Sequence, residues 1–224
     1  MERLISATGL GKSVITPDGR LDILTAVDVS IKSADTVAVI GESGSGKSTL
    51  LALLAGLDTP TQGKVMIAGE NICAMDEDQR AEVRAAYVGF VFQSFHLLPG
   101  LTAEENVMLP LEVKGAQQIR SQALELLDRV GLTERTKHYP NQLSGGEQQR
   151  VAIARAFVTT PRILFADEPT GNLDRKTGQQ IIDLLFELNS EYQTTLVLVT
   201  HDEALAKRCH HRIELDAGRV VNSS

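Results

Sequence analysis

Residues 41–48, GESGSGKS, have the types and spacing that bind a polyphosphate. Glycines let backbone N–H groups point inward around an anion, and the N-terminus of a following helix adds a favourable dipole. Lys47 supplies a point charge for the β- and γ-phosphates, and the Ser48 hydroxyl is suited to Mg²⁺. We therefore predict one continuous nucleotide-binding segment of Gly41, Glu42, Ser43, Gly44, Ser45, Gly46, Lys47, Ser48 and Thr49.

Two adjacent acids, Asp167 and Glu168, follow the apolar run 162–166. Ligands of α/β proteins bind at the carboxyl ends of the strands, so we expect both carboxylates at such an edge. Asp167 would hold a metal ion directly or through water, and Glu168 is a candidate general base for the attacking water. In a chain with a phosphate-binding loop, this pair indicates hydrolysis of a nucleoside triphosphate.

Two more polar residues follow predicted strands at that edge. His201 comes after the strand 195–200, and we favour a contact with the γ-phosphate over a purely structural role. Gln93 comes after the strand 88–92 and can orient a water molecule or a metal ion. Its residue type and position alone leave a structural role equally open.

A second helix start, residues 143–150 with the sequence LSGGEQQR, also has the composition of an anion site. Free N–H groups and the Ser144 hydroxyl could bind a phosphate. On local chemistry the simpler interpretation is that Ser144 caps the helix and the two glycines form the turn. The sequence thus raises the question of why one chain would carry two phosphate cradles.

Short strands and helices must position these residues. We predict helices at 50–57, 117–130, 147–158 and 175–190, and one that begins with the capping box of Thr102 and Glu105. We predict strands at 3–7, 23–31, 36–40, 64–68, 88–92, 162–166 and 195–200, and a hairpin at 213–221. This alternation indicates an α/β fold with a parallel core sheet, and the helical middle third indicates an inserted subdomain.

The composition is that of a globular protein, and the length suits one domain or one domain with a modest insertion. The 224 residues are 42% hydrophobic, and the net charge of −7 argues against a nucleic-acid partner. We expect a cytosolic chain, since no apolar stretch approaches the roughly 18 residues of a membrane-spanning helix and no secretory signal is evident. Cys73 and Cys209 match no disulfide or metal pattern, so we expect two reduced thiols.

Together these segments resemble the ATP-binding-cassette (ABC) ATPases along nearly the whole chain. In that family Gln93 corresponds to the Q-loop, residues 143–147 to the signature motif, Asp167 to the end of Walker B, 171–174 to the D-loop and His201 to the switch histidine. The resemblance implies a P-loop NTPase fold with a RecA-like parallel-sheet core, an N-terminal antiparallel β-subdomain and an inserted helical subdomain. It implies a core of residues 1–94 and 160–224, and a helical signature subdomain of residues 95–159.

The resemblance also implies ATP and Mg²⁺ as cofactors, and two kinds of partner. A second copy would bind head to tail, so that each ATP lies between one subunit's P-loop and the other's signature motif. An integral membrane permease would hold the cytoplasmic chain at the inner membrane. The residues implied to hold Mg²⁺ are Ser48, Gln93 and Asp167. The signature residues Ser144, Gly145, Gly146 and Glu147 are implied to contact nucleotide from the second subunit, and Asp174 of the D-loop is implied to contact nucleotide as well.

Four longer stretches resemble the group that serves lipoprotein release, macrolide export and cell division, and most of all its YbbA type. They are GESGSGKSTLLALLAGLD, VGFVFQSFHLLPGLTAEENVMLP, QLSGGEQQRVAIARAF and FADEPTGNLD. This group implies export or extraction of a lipid, lipoprotein or hydrophobic substrate. Two alternatives are a regulatory or mechanical subunit in cell division, and a soluble ABC ATPase of DNA repair or of ribosomes.

Val14 marks a departure from the family pattern. ABC ATPases usually place an aromatic residue, often Tyr, near this position to stack on adenine, and the first 86 residues contain no aromatic residue. We therefore expect Val14 to lie beside the base, with a weaker contact than a ring would make, since stacking contributes about 1–3 kcal/mol per base.

Overall fold

The computed structural model describes residues 3–17 and 19–223. In chain order its strands are β1 (Arg3–Thr16), β2 (Gly19–Lys32), β3 (Thr36–Ile40), β4 (Gln62–Ile67), β5 (Glu70–Asn71), β6 (Val88–Phe92), β7 (Ile163–Asp167), β8 (Thr195–Val199), β9 (His211–Asp216) and β10 (Arg219–Ser223). Its helices are α1 (Lys47–Leu54), α2 (Glu77–Tyr87), α3 (Ala103–Val113), α4 (Ile119–Arg129), α5 (Gly145–Phe157), α6 (Arg175–Tyr192) and α7 (Glu203–Ala206). Within the described ranges, none of the helices is long and apolar enough to cross a membrane.

The chain divides into two compact units, one of Met1–Val88 with Thr195–Ser224 and one of Gly89–Thr194. In the first unit, β1 pairs antiparallel with β2 and β4, and β4 pairs antiparallel with β5. In the same unit β3 lies between β8 and β9, parallel to both, and β10 is antiparallel to β9. The predicted α/β class, with parallel core strands and antiparallel N-terminal strands, is confirmed.

Hydrophobic periodicity explains these strands. Val27, Val29 and Ile31 of β2 are buried and alternate with exposed residues, as in a strand with one face on the core. The strands β3 and β8 are short β-branched runs that are buried along nearly their whole length, as parallel core strands require.

The second unit holds α3 to α6 with β7 and nearly all of β6. The predicted capping box of Thr102 and Glu105 begins α3, and the predicted stripe of α4 is buried. Glu104 is almost fully buried and forms ion pairs with Arg120 at 2.6 Å and Lys137 at 2.7 Å. Burial alone would raise the pKa of Glu104, but the hydrogen bonds from Lys137 and Arg120 outweigh it, so this pKa is lowered.

Several predicted bounds were wrong. The helix predicted at 50–57 begins at Lys47 and ends at Leu54, because the last residues of the glycine loop form its first turn. The strands predicted at 3–7 and 23–31 are parts of a longer hairpin, β1 and β2, with irregular pairing. The helix α2 was not predicted at all, since only Val83 of its residues is buried.

Candidate active site

The predicted phosphate-binding loop connects β3 to α1 in the first unit. Gly41 and Gly46 have positive φ angles of 147° and 101°. A Cβ atom at Gly41 would collide with the carbonyl oxygen of Leu215, and one at Gly46 would lie 2.8 Å from Cδ2 of Leu24. Only glycine fits at both positions, because the neighbouring residues leave no room for a side chain there. These close contacts constrain the path of the loop backbone.

Lys47 lies inside this loop. Its Nζ donates to the carbonyl oxygens of Gly41 at 2.9 Å and Glu42 at 2.7 Å, and the residue is 8% exposed. The Ser45 hydroxyl is buried and has no hydrogen-bond partner among the described residues. The first turn of α1, which is fully described, carries no acidic residue. An ammonium group, an unpaired hydroxyl and a helix start without carboxylates together fit the oxygens of a phosphate.

His201 follows β8 at the edge where β3 enters the loop. Val199 lies opposite Val39 in the parallel register, and the N–H of Thr200 donates to the carbonyl of Val39 at 3.2 Å. The His201 side chain is exposed. The structure therefore places His201 and the phosphate-binding loop at the same end of two neighbouring strands.

In the second unit, Gln93 contacts the turn that follows β7. Its Nε2 donates to Oδ1 of Asn172 at 3.3 Å, and Nδ2 of Asn172 donates back to the carbonyl of Gln93 at 3.0 Å. This leaves Oε1 of Gln93 as the acceptor atom of the amide. This amide oxygen and the Asp167 carboxylate of the same unit are hard oxygen ligands, the kind that Mg²⁺ prefers.

Asp167 ends β7, and Glu168 follows it in a strained conformation. The φ of Glu168 is 44°, in the left-handed region, which costs a non-glycine residue on the order of 1–3 kcal/mol. Two bonds hold this turn: the N–H of Gly171 donates to the carbonyl of Glu168 at 3.0 Å, and Nε2 of Gln149 donates to the carbonyl of Pro169 at 2.7 Å. The backbone at the candidate base is therefore fixed by its neighbours.

Ser144 caps α5 in a complete capping box with Glu147. The N–H and hydroxyl of Ser144 each donate to Oε2 of Glu147 at 2.8 Å, and the N–H of Glu147 donates back to the hydroxyl at 3.3 Å. These bonds, with one from Arg135, hold the pKa of Glu147 below its usual value. The local interpretation of Ser144 as a helix cap is confirmed, and this helix start already attracts a carboxylate.

The signature glycines Gly145 and Gly146 do not form the turn before α5. Gly145 and Gly146 are the first residues of α5, and neither has a positive φ, so the prediction that they form the turn is wrong. A Cβ at Gly146 would lie 2.5 Å from Cγ2 of Thr177, and one at Gly145 would lie 3.3 Å from Cδ2 of Leu173. Gly146 therefore has no room for a Cβ beside Thr177 of α6, whereas a Cβ at Gly145 would meet only the flexible end of Leu173.

Two of the predicted nucleotide contacts have clear structural positions. Asp174 caps α6 by accepting the N–H groups of Lys176 and Thr177 at 3.0 Å each, and hydrogen bonds led by the Thr177 side chain lower the pKa of Asp174. Val14 lies on β1 opposite Leu21 of β2 and is partly exposed.

Sequence reasoning missed the part played by Arg155. The side chain donates to the carbonyl of His96 at 2.6 Å and to that of Phe95 at 2.9 Å. Both of those residues have left-handed φ angles, 50° and 59°, in the turn just after Gln93. Burial lowers the pKa of Arg155. No sequence signal identifies this role, because an arginine on a helix is usually exposed.

Known proteins share both the sequence and the fold. The family model for ABC transporters matches residues 24–171. The ABC transporter ATP-binding protein YbbA of Escherichia coli (strain K12) is 53% identical over 221 residues, which are 98% of this chain and 97% of that protein. The lipoprotein-releasing system ATP-binding protein LolD of Xanthomonas axonopodis pv. citri (strain 306) is 48% identical over 219 residues, 97% of this chain and 90% of that protein.

A solved structure of the ATP-binding cassette MJ0796, a post-hydrolysis dimer bound to ADP and Pi, is 42% identical to this chain, with a TM-score of 0.92. The match covers 99% of this chain and 98% of the solved one. Matches of this extent to the family model, to full-length relatives and to a solved cassette show more than a shared fold. The chain belongs to the ABC transporter family, as an ATP-binding subunit with the ATPase activity of an ABC cassette.

Proposed function

We propose that the chain is an ATP-driven switch that closes head to tail with a second copy and opens again after hydrolysis. The observation that carries the proposal is that one chain has two helix starts of the anion-binding type, at α1 and at α5. A nucleotide on the first would be completed by the second helix start of the partner. The dimeric state of the related cassette MJ0796 supports this arrangement.

Each residue of the proposed site has one task. The backbone from Gly41 to Thr49 and the Lys47 ammonium bind the phosphates, and Val14 contacts the base. The Mg²⁺ ligands would be Ser48, Gln93 and Asp167, and the ion would neutralise charge on the β- and γ-phosphates.

The remaining residues act on the γ-phosphate. Glu168 accepts a proton from the attacking water, and His201 contacts the transferring group. The partner contributes the second helix start and the D-loop, namely Ser144, Gly145, Gly146, Glu147 and Asp174.

Closing and opening of the dimer would drive conformational changes in a membrane permease, which the chain binds at the cytoplasmic face of the inner membrane. We assign residues 1–94 and 160–224 to the nucleotide-binding core and residues 95–159 to the helical signature subdomain.

ATP and ADP differ in the γ-phosphate, which bridges the two copies, so hydrolysis removes the contact that favours the closed state. The name of the relative LolD, a lipoprotein-releasing ATP-binding protein, supports a lipid or lipoprotein as the substrate that is exported or extracted.

The test of the switch uses Glu168→Gln. This variant should bind Mg-ATP, hydrolyse it at least 100-fold more slowly than the wild type and accumulate as a dimer in light scattering after size exclusion. ADP should leave it monomeric. A variant that stays monomeric with saturating Mg-ATP, alone and with its permease, would contradict the proposal.

The shared site is tested by mixing two inactive variants, Lys47→Ala and Ser144→Arg. A head-to-tail heterodimer of the two has one composite site with both lesions and one with neither. Mixtures should therefore recover ATP hydrolysis, whereas each variant alone should not, although Ser144→Arg keeps an intact phosphate-binding loop. If demonstrably mixed dimers recover no hydrolysis, the two helix starts do not serve one nucleotide.

A further inference from the structure

Gln149 is a fully buried polar residue on the signature helix α5. It is 0% exposed, and its Nε2 donates to the carbonyl oxygen of Pro169 at 2.7 Å. Since a carbonyl can only accept, this bond fixes which end of the amide faces Pro169. The other end, Oε1, is buried without a hydrogen-bond partner among the described residues. A buried amide kept for a single bond calls for an explanation.

Gln149 shares one face of α5 with the signature glycines. It lies three and four residues after Gly146 and Gly145, the spacing that places side chains on one side of a helix. Both glycines approach the segment 173–177 closely, and Gln149 reaches Pro169. The signature helix therefore contacts the segment 169–177 along more than one turn.

Pro169 is bonded directly to Glu168, the residue with the left-handed backbone. A left-handed φ of 44° persists in a glutamate only if neighbouring contacts hold it. Among the bonds that support this turn are the 3.0 Å bond from Gly171 N–H to the Glu168 carbonyl and the bond from Gln149 to the next carbonyl. Loss of the second would free the peptide plane between Pro169 and Thr170, which is the next plane after the one that carries the Glu168 carbonyl.

We infer that Gln149 is a positioning residue for Glu168, and that it links the signature helix to the candidate base of the same chain. The inference rests on the proposed role of Glu168 as the base. In the proposed dimer, α5 touches the partner's nucleotide while Glu168 serves the chain's own. The bond from Gln149 to Pro169 then makes the geometry of one site depend on the closure of the other.

Gln149→Met tests the inference with little change of volume, since methionine fills the space but cannot donate a hydrogen bond. We expect kcat for ATP to fall about 10- to 100-fold, the range in which a misplaced catalytic group costs rate, while KM changes less than threefold. The Gly171 amide of the nucleotide-free variant should exchange hydrogen at least about tenfold faster than in the wild type, because its turn has lost a support. This second measurement does not depend on hydrolysis.

The matched control is Asn189→Leu. Asn189 is also a buried amide that donates to a backbone carbonyl, that of Thr194, after the end of α6. The Asn189→Leu variant should be less stable than the wild type, but its kcat and its hydrogen exchange at Gly171 should not change. Gln149→Glu adds a pH test, because a neutral carboxylic acid can donate to Pro169 and a carboxylate cannot. Its kcat relative to the wild type should rise as the pH falls from 8 to 6.

Three results would overturn the inference: a kcat of Gln149→Met within twofold of the wild type, unchanged exchange at Gly171, or an equal loss of kcat in Asn189→Leu. A wild-type protein without ATPase activity would contradict the proposed function instead, and the exchange measurement would still decide whether Gln149 holds the turn.

Discussion

Gly146→Ala should destabilise the protein, although alanine favours a helix more than glycine does. In an open helix the change would stabilise by up to about 1 kcal/mol. Here the new Cβ would lie 2.5 Å from Cγ2 of Thr177, about 1 Å inside an ordinary carbon–carbon contact. Such overpacking costs about 1–3 kcal/mol. The net effect should be a loss of about 1 kcal/mol.

Thr177 cannot easily turn its methyl group away. Its χ1 is restricted by β-branching, and its hydroxyl is held by the hydrogen bond to Asp174. Thr177→Ser removes only the methyl group and keeps the hydroxyl. The next nearest atom to the new Cβ is Cβ of residue 177, at 4.0 Å, which is an ordinary van der Waals contact. In the serine background Gly146→Ala should therefore stabilise by about 1 kcal/mol, and the coupling energy of the cycle should be about 2 kcal/mol.

The assay is thermal or urea unfolding of the four nucleotide-free proteins. For a chain of this size, 1 kcal/mol corresponds to about 2–4 °C in Tm, so the two backgrounds should shift in opposite directions. Gly145→Ala is the control, since its Cβ would meet the flexible end of Leu173 at 3.3 Å and should not respond to Thr177→Ser. Equal effects of Gly146→Ala in both backgrounds, within about 0.5 kcal/mol, would refute the steric argument.

Three further predictions address titration, reactivity and base recognition. The Ser144 backbone and hydroxyl lower the pKa of Glu147 from its usual 4.5, so the stabilisation from the charged carboxylate is present above that pH and lost as the pH falls below it. Glu147→Gln should therefore flatten the fall of Tm between about pH 5 and pH 3, and an unchanged slope would contradict this. Burial raises the pKa of the Cys209 thiol from 9.0 to about 11, so at pH 8 it should react with iodoacetamide about 100-fold more slowly in the folded than in the unfolded protein; equal rates would show that it is not protected. Val14→Tyr should tighten ATP binding about fivefold in a fluorescent-nucleotide titration if the base lies beside β1, since a stacked ring adds about 1 kcal/mol; an unchanged Kd would place the base elsewhere.

The parts of the fold that follow from local chemistry were predictable. The strand β3 was predicted with its observed bounds, because a β-branched run ends at a glycine loop. The helix α2 was missed because the interactions that stabilise it are polar and lie within the helix itself. Asp76 and Gln79 form a capping box, and Glu77 pairs with Arg80 and Arg84. A helix with so little apolar surface gives almost no periodic signal.

Tertiary placement decided the parts of the site that the sequence could not predict. Glu168, Phe95 and His96 adopt left-handed backbone angles, which a sequence predicts only at glycine and a few polar residues. Gln149 and Arg155 have the residue types of a solvated helix face. Their roles arise from the carbonyl groups that other segments bring to them, and no spacing in the sequence encodes those contacts.

The helix cap at Ser144 and the proposed phosphate site use the same hydrogen-bond donors at the start of α5. The N–H and hydroxyl of Ser144 already bind an anion, the carboxylate of Glu147, with both distances at 2.8 Å. The hydrogen bonds from Ser144 lower the pKa of Glu147, because they stabilise its charged form. A γ-phosphate arriving from a partner would take over donors that the carboxylate holds in the single chain. In the single chain, the capping box then occupies the donors that the partner's γ-phosphate would use in the dimer. The helix cap and the phosphate site are therefore compatible interpretations of Ser144.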